Sequence, residues 1–273
     1  MGLGTQMIAW PVDLCEALAE HGHYVIRFDN RDIGLSTKFD DARPPSRLRY
    51  LMNYALGTPL NAPYTLADMA ADAVGVLDAL DIESAHVVGA SMGGMIAQLV
   101  TVHYPERVKS LTSIMSTSGA PGLPRPRPDI MRHIFRDRPS KGDATAMFEH
   151  LVKSLRLIGS PGYPRSDEEV RTLIRTTIER SHYPQGFVRQ LAALVDDGSR
   201  VDRLKTIDKR TLVIHGRDDP FVQVECGIDT ARHIKGAKLE IIDGMGHDLP
   251  PQLIGRLTSL ITDHAREAAL YAR

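Results

Sequence analysis

Ser91 lies in a Gly-x-Ser-x-Gly pattern, Gly89-Ala90-Ser91-Met92-Gly93, which could make its hydroxyl a nucleophile. The apolar run Ala85–Val88 precedes the pattern, and a small-residue segment typical of a helix follows it. A sharp strand-to-helix turn exposes a serine hydroxyl and tolerates only small neighbours. A glycine-rich βα turn can carry this pattern by chance, so its place between strand and helix favours the catalytic interpretation. The Met92 amide at the start of that helix is then the natural donor to an oxyanion.

A serine hydroxyl needs a base at neutral pH, and the base needs an acid that fixes its tautomer. His247, in the segment GMGHD, follows one predicted strand and is the candidate base. Asp219, in the segment HGRDD, follows another predicted strand and is the candidate acid. Asp218 is the alternative acid, while Asp248 is too close to His247 in sequence. A lone histidine in a glycine turn is more often structural, so the prediction depends on these residues meeting Ser91 at one edge of a sheet.

Strand-like and helix-like segments alternate along the chain and would position these residues. Helices are predicted at Pro11–Leu18, from the Thr65–Asp68 capping box to Asp81, and after Ser91. This alternation predicts the α/β class, with a mostly parallel sheet, helices on both faces and ligands beyond the carboxyl ends of the strands. The predicted strands are Tyr24–Phe28, Ala85–Val88, Lys109–Ile114, Thr211–His215 and Lys238–Ile242.

The alternation of strand-like and helix-like segments stops between residues 118 and 208, where proline-rich and helical segments replace the strands. Helices are predicted at 144–157, 167–180 and 185–195. Because the strand pattern resumes at Thr211, we interpret residues 118–208 as a helical lid inserted over the sheet rather than as a separate helical domain. The chain then divides into an N-terminal part of the core (1–117), the lid (118–208) and a C-terminal part of the core (209–273).

Composition excludes several classes of function for this 273-residue chain. Charged residues make up 25% and the formal net charge is −1, so no basic field would draw it to nucleic acid. The absence of a long apolar run predicts no membrane span. Cys15 and Cys226 stand far apart without CxxC spacing, which predicts a reducing, cytoplasmic setting. The pattern predicts no metal site and no cofactor, and leaves the oligomeric state open.

The three motifs together resemble the α/β-hydrolase superfamily. GASMGG, HGRDDP and GMGHDLP are similar to its nucleophile, acid and histidine motifs, in the chain order expected there. RFDNRDIGLST resembles the loop after its fourth strand. The combination is similar to the esterase branch that includes the aclacinomycin methylesterases and actinobacterial lipase/esterase-like proteins. The resemblance covers nearly the whole chain, and is vague only in the lid.

The resemblance also carries an expectation about the amino terminus. MGLGTQMIAWP resembles the oxyanion loop of the family, which makes the Leu3 amide the second oxyanion donor. In the family fold three strands precede that loop, and one of them lies at the centre of the sheet, whereas this chain begins at the loop. A parallel sheet without that strand would leave buried backbone groups unpaired, at about 1–3 kcal/mol each. We therefore expect the native protein to be longer by about 20–35 residues, enough for three short strands.

The function predicted from these residues is hydrolysis of a carboxylic ester of a small molecule through an acyl-enzyme on Ser91. Thioesterase, lactonase, C–C hydrolase and perhydrolase activities use the same triad, so they stay open. A non-catalytic binding protein of the same fold is the alternative from a different class. Trp10, Met92 and Met95 could line an acyl pocket or belong to the core, and His215 is interpreted as packed rather than catalytic.

Overall fold

The protein structure is a computed structural model that describes residues 1–140 and 142–271. Its centre is a sheet of four parallel strands, and their order in space equals their order in the chain. This arrangement confirms the predicted α/β class. The strands are β1 (Ala85–Ala90), β2 (Val108–Ile114), β3 (Thr211–Gly216) and β4 (Lys238–Ile242).

Helices cover both faces of the sheet, as predicted. In chain order they are α1 (Val12–Glu20), α2 (Arg47–Leu56), α3 (Leu66–Ala79), α4 (Met92–His103), α5 (Pro128–Phe135), α6 (Ala144–Ile158), α7 (Asp167–Arg180), α8 (Pro184–Asp197), α9 (Val201–Leu204), α10 (Val224–His233) and α11 (Ile254–Tyr271). The predicted capping box of α3 is present, with the Thr65 and Asp68 side chains each accepting from the other residue's amide. The patterns used above predict none of α2, α5, α9 and α10.

The core is two-sided because the central strands are apolar on both faces. Successive side chains of a strand point to opposite faces. In β2, Leu111 packs with Ala97 of α4 on one face, and Ile114 packs with Leu257 and Ile261 of α11 on the other. All six residues of β3 are buried, which is typical of a parallel strand covered on both sides. This packing fixes the carboxyl ends of the strands at one edge of the sheet.

The prediction of a strand at Tyr24–Phe28 is wrong. Residues 1–84, all of which are described, contain no strand. A cavity of about 530 Å³ is lined by both residues 22–28 and residues 84–89, so open space separates this extended segment from β1. An extended segment becomes a strand only when a neighbour accepts and donates its backbone hydrogen bonds. The β-branched and aromatic run is present, but it has no such neighbour here.

Helices α5 to α9 all lie between β2 and β3 in the chain, in the span predicted as a lid. Helices α6 and α7 share a small core of their own, formed by the buried side chains of Val152, Val170 and Ile174. This core is separate from the three clusters that pack on the sheet. The insertion therefore has its own apolar interior, and its inner surface faces Ser91 across a second cavity.

Candidate active site

Ser91 occupies a strained turn between β1 and α4, with φ 57° and ψ −123°. Such a conformation is rare for a residue with a side chain and persists only where the surroundings hold it. A Cβ on Gly89 would lie 2.0 Å from the carbonyl oxygen of Gly93, so this turn requires glycine. Strand β2 and the loop after it secure the turn, because the Ser91 amide donates to the Ile114 carbonyl (2.9 Å) and Ser116 Oγ donates to the Ser91 carbonyl (2.8 Å).

The structure brings Ser91, His247 and Asp219 together at the carboxyl ends of β1, β4 and β3. His247 Nε2 lies 3.0 Å from Ser91 Oγ, and His247 Nδ1 lies 2.6 Å from Asp219 Oδ2. A proton on Nδ1 satisfies the carboxylate and leaves Nε2 free to accept from the serine hydroxyl. The side chains of His247 and Asp219 are 7% and 0% exposed, so water barely competes for these bonds.

The two neighbouring aspartates have different partners. Asp219 Oδ1 accepts from the amides of Phe221 (2.9 Å) and Val222 (2.8 Å), which leaves Oδ2 for His247. Asp218 is exposed, and its Oδ2 accepts from the Gly244 amide at 2.8 Å. The Asp218 side chain therefore accepts a hydrogen bond from the turn after β4, whereas Asp219 contacts the imidazole.

His215 is fully buried beneath the acid. Its Nε2 donates to the Val222 carbonyl at 2.7 Å and lies 3.6 Å from Asp219 Oδ2. Burial lowers the pKa of His215, which keeps the ring neutral. It therefore supports the turn that presents Asp219, in line with its interpretation as a packed residue.

Of the two predicted oxyanion donors, Met92 directly follows the nucleophile in the chain, and Leu3 follows a glycine that lies beside it. Met92 is the first residue of α4, and the first amides of a helix have no partner within the helix. Leu3 belongs to the amino-terminal loop, and a Cβ on its neighbour Gly2 would lie 3.3 Å from Ser91 Oγ.

The insertion holds the amino-terminal loop in place. The Gly4 amide donates to Gln190 Oε1 of α8 at 2.9 Å. Gln6 Nε2 donates to the carbonyls of Thr177 (2.7 Å) and Ser181 (2.8 Å), at the end of α7. No local pattern predicts these bonds, because the partners are more than 170 residues apart in the chain.

A cavity of about 740 Å³ opens above Ser91 and His247. Its volume is in the range of pockets that take small molecules. Apolar side chains of the insertion and of the loop after β3 form much of its wall, including Leu151, Leu155, Ile174, Phe187 and Phe221. His150 also lines it, and burial lowers the pKa of that ring. The site therefore offers a largely apolar space next to a nucleophile.

The candidate acyl-pocket residues lie elsewhere. Met92 and Met95 are 0% and 5% exposed in the core beneath the elbow, and neither lines the 740 Å³ cavity. Trp10 lines the cavity between residues 22–28 and β1. Of the two alternatives left open for the methionines, the structure therefore favours the core.

The described part of the chain offers neither a metal-binding cluster nor a membrane-spanning helix. No cluster of three or more histidine, cysteine, aspartate or glutamate side chains there is placed to hold a metal ion. No helix among the same residues is both long and apolar enough to cross a membrane.

Comparison with known proteins defines the class. The sequence profile of the α/β hydrolase fold matches residues 2–251, and the chain therefore belongs to the α/β-hydrolase family. It is 29% and 30% identical to the rhodomycin D methylesterases of Streptomyces sp. (strain C5) and Streptomyces peucetius, over 96% of this chain and 88% of each relative.

Solved structures agree on the fold. A meta-cleavage product hydrolase from Pseudomonas fluorescens IP01 matches with a TM-score of 0.71 at 22% identity, covering 98% of this chain and 88% of that one. A thermophilic esterase from Thermogutta terrifontis matches with a TM-score of 0.68, also at 22% identity and with the same coverage. The relatives by sequence and by structure thus include methylesterases, a meta-cleavage product hydrolase and an esterase.

Proposed function

We propose that the protein is a serine hydrolase that cleaves a carboxylic ester of a small molecule. The observation that carries the proposal is the continuous hydrogen-bonded line from Asp219 through His247 to Ser91, which ends at the floor of the 740 Å³ cavity. The methylesterase names of relatives that align with 96% of the chain support an ester as the substrate.

The proposal assigns each step of acyl transfer to a residue of this site. His247 Nε2 takes the proton of Ser91 Oγ as the oxygen attacks the ester carbonyl, and Asp219 stabilises the imidazolium that forms. The amides of Met92 and Leu3 donate to the oxyanion. The imidazolium then protonates the leaving alcohol, and water attacks the acyl-enzyme with His247 again as base.

Residues 118–208 form the lid of this site in the proposal, and residues 1–117 and 209–273 form the core beneath it. The lid helices supply the apolar wall that receives the acyl or alcohol group. Closing an apolar wall over a reacting ester excludes water and strengthens the hydrogen bonds to the oxyanion.

Hydrolysis of a C–C bond is the second candidate. Its support is the similarity to a 2-hydroxy-6-oxononadienedioate/2-hydroxy-6-oxononatrienedioate hydrolase of Cupriavidus pinatubonensis, 32% identical over 63% of this chain and 59% of that one. The same three residues would serve both reactions. The coverage of the methylesterases is longer, and this favours the ester.

A fluorophosphonate probe tests the proposal, because it labels only an activated serine. We expect labelling of the wild type and of Ser259→Ala, an exposed serine on α11, and none of Ser91→Ala. A panel of methyl and p-nitrophenyl esters, run beside a dienone substrate of the C–C hydrolases, then ranks the two activities. No labelling of the wild type, together with no turnover of any substrate, would refute the proposal and leave a binding protein of the same fold.

A further inference from the structure

The segment that follows α6 lies directly against the loop that carries His247. We call residues 158–165 the clamp segment and residues 244–249 the histidine loop. The His247 amide donates to the Ile158 carbonyl at 2.7 Å, and the Gly162 amide donates to the Gly244 carbonyl at 2.9 Å. The Gly246 amide donates to Ser160 Oγ at 2.8 Å. The insertion therefore bonds the backbone of the base itself and of the residue before it.

A second layer of bonds runs through Asp248, the residue after the base. Ser160 Oγ accepts from the Gly246 amide and donates to Asp248 Oδ1 at 2.5 Å. Arg165 Nε lies 3.3 Å from Asp248 Oδ2, and its Nη2 donates to the Leu249 carbonyl at 2.5 Å. Ser160 is 4% exposed, so its hydroxyl has little access to a replacement partner in water.

The two segments are too close to slide past each other. A Cβ on Gly246 would lie 2.4 Å from the Gly159 carbonyl oxygen, and a Cβ on Gly162 would lie 2.7 Å from the Gly244 Cα. The core holds the opposite side of the histidine loop, where the Asp218 amide donates to the Met245 carbonyl at 3.1 Å. The loop is thus fixed between the core and the clamp segment.

We propose that Ser160 and Arg165 are positioning residues that act through Asp248 to set the imidazole of His247 between Ser91 and Asp219. The inference rests on the proposed function for its kinetic consequence, though not for its geometry. Asp248 is then not a rival acid: its two oxygens are engaged by the clamp segment. Since Ser160 and Arg165 also line the 740 Å³ cavity, the insertion that receives the substrate is the part of the chain that orients the base.

Ser160→Ala and Arg165→Met test the inference by kinetics on a p-nitrophenyl ester, corrected by fluorophosphonate titration of active sites. A displacement of about 1 Å in a reacting group can cost on the order of 10² in rate. We expect kcat per active site to fall about 10- to 100-fold, a shift of the acidic limb of the pH profile, and KM within about twofold of wild type. Arg165→Lys should recover part of the loss.

Arg171→Met is the matched control, because Arg171 also forms ion pairs within the insertion, with Glu149 and Asp167, but contacts neither the cavity nor the histidine loop. It should keep the wild-type kcat. If Ser160→Ala lowers only the melting temperature or the fraction of active sites, with kcat per site unchanged, the positioning role is refuted.

A readout independent of turnover separates the two proposals. The proton shared by His247 Nδ1 and Asp219 should give a low-field ¹H NMR resonance, assigned by its loss in His247→Ala. We expect it to weaken or move in Ser160→Ala and to persist in Arg171→Met. A wild type that shows this resonance yet hydrolyses nothing would sink the proposed function and leave the positioning inference intact; an unchanged resonance in Ser160→Ala would overturn the inference itself.

Discussion

Replacing Asp219 by asparagine should prevent His247 from acting as a base while leaving the fold intact. The carbonyl oxygen of the introduced side chain can still accept from the amides of Phe221 and Val222, since Oδ1 of Asp219 makes both of those bonds now. The introduced amide nitrogen then faces His247 Nδ1 as a donor, at the position of the present 2.6 Å bond. The ring must accept there, so its proton moves to Nε2, which then presents a hydrogen to Ser91 Oγ instead of a lone pair.

The size of the effect follows from that tautomer. In a serine protease the equivalent change costs about 10⁴ in kcat, which is about 5.4 kcal/mol of transition-state stabilisation. We expect a loss of about 10³- to 10⁴-fold in kcat for Asp219→Asn, with KM nearly unchanged. Asp218→Asn is the matched control: its exposed side chain keeps an acceptor for the Gly244 amide, so kcat should stay within about threefold of wild type.

The assay is steady-state hydrolysis of a p-nitrophenyl ester by both variants, with circular dichroism and thermal melting to show that each is folded. The reasoning is refuted if Asp218→Asn is the silencing change and Asp219→Asn is active. It is also refuted if both retain turnover, because the imidazole would then need no acid.

Three further predictions concern stability. Gly75→Ala, in an open position within α3, should raise stability by about 0.5–1 kcal/mol, whereas Gly89→Ala should unfold the elbow, because its Cβ would lie 2.0 Å from a backbone oxygen. Arg189→Met should lower the free energy of unfolding by about 3–5 kcal/mol, because it leaves the fully buried Asp32 carboxylate without its cation. In the wild type the Arg189 guanidinium donates two hydrogen bonds of 2.8 Å to that carboxylate. Burial, with help from nearby positive charge, lowers the pKa of His86 to about 4 from 6.5. As pH falls, His86 therefore becomes protonated in the unfolded chain before it does so in the folded protein, and the free energy of unfolding decreases. His86→Gln should make this decrease smaller between pH 6.5 and 4.

Each of these outcomes is read from urea or thermal unfolding. A stable Gly89→Ala variant with wild-type turnover would show that the elbow can shift to make room for a Cβ. An Arg189→Met protein of unchanged stability would mean that water reaches Asp32. Equal acid sensitivity of the wild type and His86→Gln would assign the titration to other buried histidines, such as His215 and His264.

The sequence predicts most of the fold and the residues of the site because both depend on local patterns. β-Branched runs predict β2, β3 and β4, and residues that follow parallel strands meet at one edge of the sheet, as Ser91 and His247 do. Helix α2 had signals of its own, a Ser46 N-cap and a left-handed Gly57 C-cap. Its apolar side chains are largely exposed, so it lacks the buried stripe on which helix prediction depends.

Two features lie beyond such patterns. Tyr24–Phe28 has the composition of a strand, but forming one depends on a neighbouring strand, which composition does not report. The bond between Ser160 and Asp248 joins residues 88 positions apart, in two loops without periodicity. Contacts of this kind arise only once the insertion packs on the core, and they require coordinates.

The open space beside β1 has a consequence for handling the protein. β1, the strand that directly precedes Ser91, pairs with β2 alone among the described strands, so its other side is a sheet edge. Unpaired edges are templates on which a second chain can add a strand, and such pairing leads to aggregation. An intruding strand would meet the backbone that supports the nucleophile. Loss of solubility and loss of activity on storage would then have one structural origin.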